Sequence, residues 1–343
     1  MNVVVFKFNH LGDNVVFVPA LQALRRQCPD WRITLLTTPK VAELYGGPLG
    51  PQEVLVWPKR RFDRSPRRPW ELAWWAWAIR RRRPDACLVS FDQGYAAHAV
   101  ARLSGARVRI GGEPARLARA LTQGIPMPED QRPVTWNWRM ARALARGFGR
   151  DQGWPDLPPP PDLRHLLASG ARPPGARRRV VVHAGANRSL NQWPAEQFSA
   201  VARALARDFE VVWIAHDGTT GQAPPGTVGA PVASLGELAQ WAASADLFLG
   251  NNSGPMHLAN ALGAPGVAVT GPSALGWDPF WGRESWTVLR HPNLRCAPCE
   301  VVNRELHGCA NTADPMACLR YWTADRVEAA CRSRLAEPGG PAR

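Results

Sequence analysis

The chain contains no Asp-x-Asp pair, no Gly-x-Gly-x-x-Gly behind any apolar run, and no apolar run near the ~20 residues that span a bilayer. The first absence removes the usual carboxylate handle for a divalent ion on a nucleotide-sugar diphosphate. The second lowers the prospects of a dinucleotide enzyme, and the third excludes a helical membrane span. Residues 1–8 turn polar too soon for a secretory signal, so a cytoplasmic protein is expected. Lysine is scarce, occurring only at Lys7, Lys40 and Lys59, yet Lys and Arg total 42 against 28 Asp and Glu. The formal net charge of +14 is therefore almost all arginine. It favours an anionic partner (a phosphorylated substrate, an acidic lipid surface or nucleic acid), with a solvated arginine surface as the plain alternative. Cys28, Cys87 and Cys331 are scattered and read as free thiols of a reducing compartment. With 343 residues, 45% of them hydrophobic, there is room for two ordinary domains.

What is present is organised around residues 246–272. An apolar run at 247–249 ends in Gly250, and Met256, Leu258, Ala259, Ala261 and Leu262 then follow at helical spacing until Gly263 and Pro265 stop the helix. Ser253 stands where an N-cap belongs. A helix opening just behind a parallel strand aims free N–H groups and the positive end of its dipole at the crevice above the sheet, a natural seat for a diphosphate. An ordinary βαβ unit with a satisfied cap is the competing reading.

The first half opens in the same way. A strand over 3–8, a loop over 9–12 and a helix over 14–27 precede a second strand at 33–37, which suggests twin Rossmann-like domains. Asp13 sits at the helix start, where it can cap the helix or act as a general base above the strand ends. Asp92 ends another apolar strand at 87–91, either lining the cleft or simply forming a turn. Between 57 and 83, Lys59, Arg60, Arg61, Arg64, Arg67 and Arg68 precede Trp70, Trp74, Trp75 and Trp77, and Arg80 to Arg83 follow. Indoles flanked by guanidinium groups suit an anionic interface or a nucleic-acid platform. Tryptophans in a core with a solvated arginine rim are the alternative.

Prolines crowd 151–178, which places the interdomain connection there. The expected organisation is an acceptor-binding domain over 1–155, a Pro-rich linker over 156–178, and a nucleotide-sugar domain over 179–343 with a Cys-rich segment at 296–318. In the second half a strand over 180–183, a loop at 185–189 and a helix over 196–206 lead to a strand at 211–215.

Asn-Ser-Gly-Pro-Met-His-Leu-Ala-Asn-Ala-Leu-Gly-Ala-Pro from Asn252, followed by Gly271-Pro272, resembles the donor-site signature of the heptosyltransferases, glycosyltransferase family 9. Leu11-Gly12-Asp13 with Pro19 and Leu24-Arg25 is similar to that family's opening motif, and Arg109-Ile110-Gly111 continues the match. The resemblance implies an α/β protein of GT-B fold: two Rossmann-like, doubly wound parallel-sheet domains facing across a cleft. It also implies an inverting, metal-independent transfer of heptose from a nucleotide-heptose, with ADP-heptose as donor and inner-core lipopolysaccharide as first acceptor. Asp13 takes the role of catalytic base. Gly185, Asn187, Arg188, Ser189, Asn191, Asn252, Ser253, Gly254, Pro255, Met256 and His257 are assigned to the donor. Asn9, Gly12, Arg60, Arg61 and Asp92 are assigned to the acceptor. Peripheral contact with the inner membrane fits the charge, and nucleic acid ranks below both as a partner.

Two positions depart from the family pattern. Asn191 stands where a lysine usually precedes Trp-Pro, so Arg188 is the candidate to restore the charge. Asn252 stands where an aspartate is usual, which leaves the donor sugar open. His257, on a short apolar helix, reads more readily as a packed core residue than as a ligand. Cys296, Cys299, Cys309 and Cys318 could close a structural zinc or iron site, as in some protein-modifying relatives, with unbonded thiols or a local disulfide as alternatives. No cofactor is expected in catalysis. The rival acceptors are a protein or a small molecule, and the rival class is a non-catalytic binding protein that reuses the fold.

Overall fold

The structure, a computed structural model, describes residues 1–57, 69–91, 94–113, 118–167, 177–215, 222–302 and 306–337. Two compact units divide between Arg164 and His165. In the first, strands β1 (Asn2–Phe6), β2 (Arg32–Thr37), β3 (Glu53–Val56), β4 (Ala86–Val89), β5 (Val108–Gly112) and β6 (Gln123–Ile125) pair in parallel in the order β3-β2-β1-β4-β5-β6. In the second, β7 (Arg179–His183), β8 (Glu210–Ala215), β9 (Val228–Pro231), β10 (Leu247–Asn251), β11 (Gly266–Val269) and β12 (Trp286–Leu289) take the order β12-β11-β10-β7-β8-β9. Renumbered within its own unit, each sheet has its first strand beside its fourth, as in a Rossmann sheet. The strand order therefore reverses between β1 and β4 and again between β7 and β10. A ligand is expected outside the carboxyl ends of the strands at those two places.

Helices cover both faces of each sheet, so the central strands are continuously apolar instead of alternating. Val3 to Phe6 and Val180 to Val182 are all buried. The helices of the first unit are α1 (Leu11–Val15), α2 (Val18–Gln27), α3 (Pro69–Arg80), α4 (Tyr95–Leu103) and α5 (Pro133–Arg146). Those of the second are α6 (Ala195–Leu205), α7 (Leu235–Ala243), α8 (Gly254–Ala261), α9 (Ala317–Arg320) and α10 (Ala324–Ala336).

The single helix expected over 14–27 is instead two. Pro19 has no N–H to give the Val15 carbonyl and its ring would clash there, so the chain breaks at Val16–Phe17 and restarts with Pro19 in the first turn of α2. The first part of the proline-rich stretch is held by the first unit. Trp138 Nε1 donates to the Pro155 carbonyl at 3.0 Å, and Gln22 exchanges bonds of 2.7 and 2.9 Å with the backbone of Asp162.

The tryptophans of this stretch split between core and surface. Trp57 and Trp75 are buried and stack at 4.4 Å and 2°, whereas Trp70, Trp74 and Trp77 are exposed. No helix among the described residues is long and apolar enough to cross a membrane.

Candidate functional site

The chain leaves β1 with Lys7, whose side chain is fully buried at the strand end and donates to Ser90 Oγ at 3.1 Å. Ser90, just beyond β4, donates in turn to Asn137 Oδ1 at 3.0 Å. This polar cluster lies at the switch point of the first sheet. The following loop is tied down by Asn14, which is fully buried. Its Nδ2 donates to the carbonyls of Asn9 (3.0 Å) and His10 (2.8 Å), and its Oδ1 accepts from Tyr45 Oη at 2.6 Å. Asp13 is the third residue of α1, not its N-cap. Its Oδ2 reaches back to accept from the His10 N–H at 3.2 Å, the carboxylate half of a capping box. A half-buried carboxylate is thus held at the carboxyl end of β1. Gly12 is buried against it and Asn9 supplies a backbone anchor. Arg60, Arg61 and Asp92 lie outside the described residues.

In the second sheet, the neighbouring strands β7 and β10 deliver the two donor loops side by side, with Gly250 opposite His183. Asn251, the last residue of β10, is fully buried and staples the loops together. Its Oδ1 accepts from the Trp193 N–H at 2.9 Å, and its Nδ2 donates to the carbonyls of Ala184 (2.8 Å) and Gly185 (3.4 Å). A short 3-10 turn at Ser189–Asn191 follows. Gly185 is buried while Asn187 and Ser189 are exposed.

Ser253 has the extended backbone of an N-cap, but its side chain accepts no hydrogen bond. Ser253 thus stands at the N-cap position, as its place in the sequence suggests, without a side-chain cap bond. Because Pro255 lacks an N–H, Gly254 and Met256 carry the first-turn amides outside the helical ladder. Asn260, from the same motif, is structural. It bonds the backbone of Phe280 and Trp281 and so fixes α8 against that segment.

Three donor-loop candidates have surroundings of their own, and His257 among them is the packed core residue that its apolar helix suggests. Arg188 is not a free cation, since its Nη1 pairs with Glu300, although its Nη2 is buried without a hydrogen-bond partner. Asn252 is buried, with Nδ2 3.4 Å from Asp278 Oδ1, and Arg290 donates to that same oxygen at 2.6 Å. The negative charge missing at Asn252 reappears beside it on Asp278, where Arg290 balances it. His257 is buried with its ring edge-on to Trp277 at 5.7 Å, and loss of water lowers its pKa to about 4. It is neutral at pH 7 and adds no positive charge for a diphosphate. Asn191 has a buried, unpartnered Oδ1.

The four late cysteines are not gathered into a closed ligand set. Among the described residues no group of three or more His, Cys, Asp or Glu side chains could hold a metal ion. Cys309 Sγ instead donates to the Asn311 carbonyl at 3.5 Å and accepts from the Met316 N–H at 3.4 Å. Burial raises the pKa of Cys299, and that of Cys318 to about 11. Of the readings open for Cys296, Cys299, Cys309 and Cys318, the structure has the unbonded thiols.

A concavity of about 700 Å³ among Gln123, Ile125, Arg139, Arg142 and Arg146 lies beside β6, and no candidate residue lines it. Sequence reasoning missed Asn14, Tyr45, Asn251, Asp278 and Arg290. Only Asn251 carried a signal, as a polar residue ending an otherwise apolar strand.

The profile of glycosyltransferase family 9 (heptosyltransferase) matches residues 75–309. A lipopolysaccharide heptosyltransferase 1 from Campylobacter coli is 25% identical over 123 residues, 32% of this chain. That match spans only about a third of the relative's length, 36%. The E. coli heptosyltransferase WaaC, solved with ADP, superposes with a TM-score of 0.70 at 18% identity, covering 97% of this chain and 100% of its own. E. coli ADP-heptose lipopolysaccharide heptosyltransferase II gives 0.69 at 17% identity, covering 98% of each chain. At these identities the two structures speak for the GT-B fold.

Proposed function

The chain belongs to glycosyltransferase family 9, the heptosyltransferases, and on that premise we propose that it transfers a heptose, with inversion, from ADP-heptose to a hydroxyl of inner-core lipopolysaccharide. Asp13 takes the proton of the acceptor hydroxyl. The oxygen then forms its bond to the anomeric carbon while the bond from that carbon to the diphosphate oxygen breaks, and ADP leaves with the electron pair. The growing charge on the diphosphate is met by the amides of Gly254 and Met256, the positive end of α8 and Arg188 Nη2. Asn252, Asn187, Ser189 and Asn191 offer hydrogen bonds to sugar and phosphate oxygens. His257, on α8 itself, packs against Trp277. The acidic sugars and phosphates of an inner core suit a chain of net charge +14.

The observation that carries this reading is the pair of loops after β7 and β10, stapled by Asn251 at the switch point of the second sheet. They bring an uncapped helix start and a buried, unpartnered guanidinium nitrogen to the place where a Rossmann sheet takes its ligand. A second reading, a non-catalytic binding protein, is favoured by the pairing of Arg188 with Glu300 and by the amides that stand at Asn191 and Asn252 in place of charged residues.

Release of ADP from ADP-heptose in the presence of a lipopolysaccharide core acceptor separates the two. Asp13→Asn keeps an oxygen for the His10 N–H and removes the base. Its turnover is expected to fall by roughly 10²–10⁴-fold with ADP affinity retained. Equal rates for wild type and variant would eliminate Asp13 as the base, and binding of ADP-heptose without turnover would favour the second reading.

A further inference from the structure

Helix α3 (Pro69–Arg80) has two unlike faces. At about 100° per residue, Trp70, Trp74, Trp77 and Arg81 fall within an arc of about 60°. Trp75 and Ile79 point the opposite way. Trp75 stacks on Trp57, and Ile79 joins the core formed with Val4, Cys87 and Val100. The outward stripe stays in solvent, with Trp70 64%, Trp74 54% and Trp77 53% exposed. Together they present roughly 400 Å² of indole surface, the size of the largest apolar patch on an ordinary monomer. The core does not need these rings, because Trp57, Trp75 and Ile79 already fill the space beneath the helix.

The rim of the stripe is basic. The guanidinium of Arg81 sits 4.9 Å above the Trp77 ring, and Arg80, Arg81 and Arg83 are exposed. Only Arg82 turns inward, to a bidentate pair with Glu53. In sequence, six more basic residues lie within 58–68, immediately before the helix.

A convex helix carrying three indoles in a row does not match the groove in which bases stack on aromatic side chains. Nor does it favour a second copy, since two chains of net charge +14 would meet basic rim to basic rim. A flat, deformable anionic surface meets both features: indole rings settle at the headgroup boundary, and guanidinium groups pair with lipid phosphates.

We propose that α3 is an interfacial helix that seats the chain on an anionic lipid surface, with Trp70, Trp74 and Trp77 at the headgroup level and Arg80, Arg81 and Arg83 on the phosphates. This goes beyond the sugar-transfer reading and does not depend on it. It supplies a plane on which a lipid-linked acceptor can be met.

The test is co-sedimentation of the full chain with sugar-free vesicles of phosphatidylglycerol and phosphatidylcholine, compared with phosphatidylcholine alone. The wild type is expected to bind the anionic vesicles more tightly, and less so as salt rises. Replacing all three residues (Trp70→Ser, Trp74→Ser, Trp77→Ser) should lower the partition coefficient on the order of tenfold or more. Arg80→Gln with Arg81→Gln should lower it by roughly thirty-fold. Val228→Ser, which removes an exposed apolar residue from the second unit, should leave it unchanged. Quenching of wild-type tryptophan fluorescence by brominated lipid gives a readout independent of whether the variants fold.

The proposal is overturned if the wild type ignores anionic vesicles, if the triple variant folds and binds them undiminished, or if brominated lipid quenches nothing on binding. It is also overturned if the stripe serves a self-association or a single-stranded DNA affinity that the triple variant abolishes while vesicle binding persists. Because the vesicles carry no sugar acceptor, a failure of heptose transfer leaves every one of these outcomes intact.

Discussion

Removing the side-chain amide of Asn251 tests whether the donor loops depend on one buried residue. Asn251→Ala strips the Trp193 N–H and the Ala184 carbonyl of their partners in a place water does not reach, since Asn251 is fully buried. Each buried polar group left unsatisfied costs about 1–3 kcal/mol, and the longer contact to Gly185 adds little. The expected loss is about 3–4 kcal/mol for the second unit. For a unit of this size that corresponds to a fall in melting temperature of roughly 6–16 °C. The loop between β7 and α6 also loses its tether to β10, so ADP affinity should drop beyond what global unfolding explains.

Asn251→Asp sharpens the test. It keeps an acceptor for the Trp193 N–H but turns the donor that faces Ala184 into a second acceptor. At neutral pH it should therefore destabilise at least as much as alanine does. Protonation restores a donor, so the variant should recover stability relative to alanine as the pH falls. Scanning calorimetry with titration calorimetry of ADP reads both effects. A melting point within about 2 °C of wild type for Asn251→Ala would refute the staple.

Three further expectations follow from the same geometry. His257 is buried neutral with its pKa near 4, while the unfolded chain binds its proton near pH 6.5. Its contribution is therefore fully present above pH 6.5 and lost as the pH falls toward 4, by roughly 2–3 kcal/mol, and denaturation across that range should show His257→Gln with a flatter acid limb. His98, lowered by the same loss of water, keeps part of the acid sensitivity in that variant. Glu300→Gln frees Arg188 from its ion pair and should tighten ADP binding by about tenfold, whereas Arg188→Ala should weaken it, both read by titration calorimetry. Equal ADP affinity across Glu300→Gln, Arg188→Ala and the wild type would remove Arg188 from the diphosphate site.

The sequence was most legible where a backbone rule acts over short range. The apolar runs at 3–6, 180–182 and 247–249 are strands because buried parallel strands carry apolar residues on both faces. Gly263, at φ +80°, stops α8 because a left-handed residue ends a helix. Pro19 was equally visible, and a stricter reading of its missing N–H would have divided the helix over 14–27. The switch-point loops at 9–13, 185–191 and 252–257 could be singled out because strand, polar loop and helix start recur there in sequence.

The residues themselves set the two alternations of strand and helix, the arginine excess and the loops that carry the chemistry, because propensity, charge and periodicity are local properties. Only the folded chain decided which charges are spent on partners. Arg188 meets Glu300 from 112 residues away, and Asn252 meets Asp278, itself paired with Arg290, across a helix, a strand and a turn. The same holds for the tryptophans. Trp75 and Trp74 are neighbours in sequence, and one is core while the other faces water because Trp57, brought in by another strand, covers only one side of the helix. Burial and pairing depend on contacts between residues far apart in the chain, and no pattern along the sequence encodes them singly.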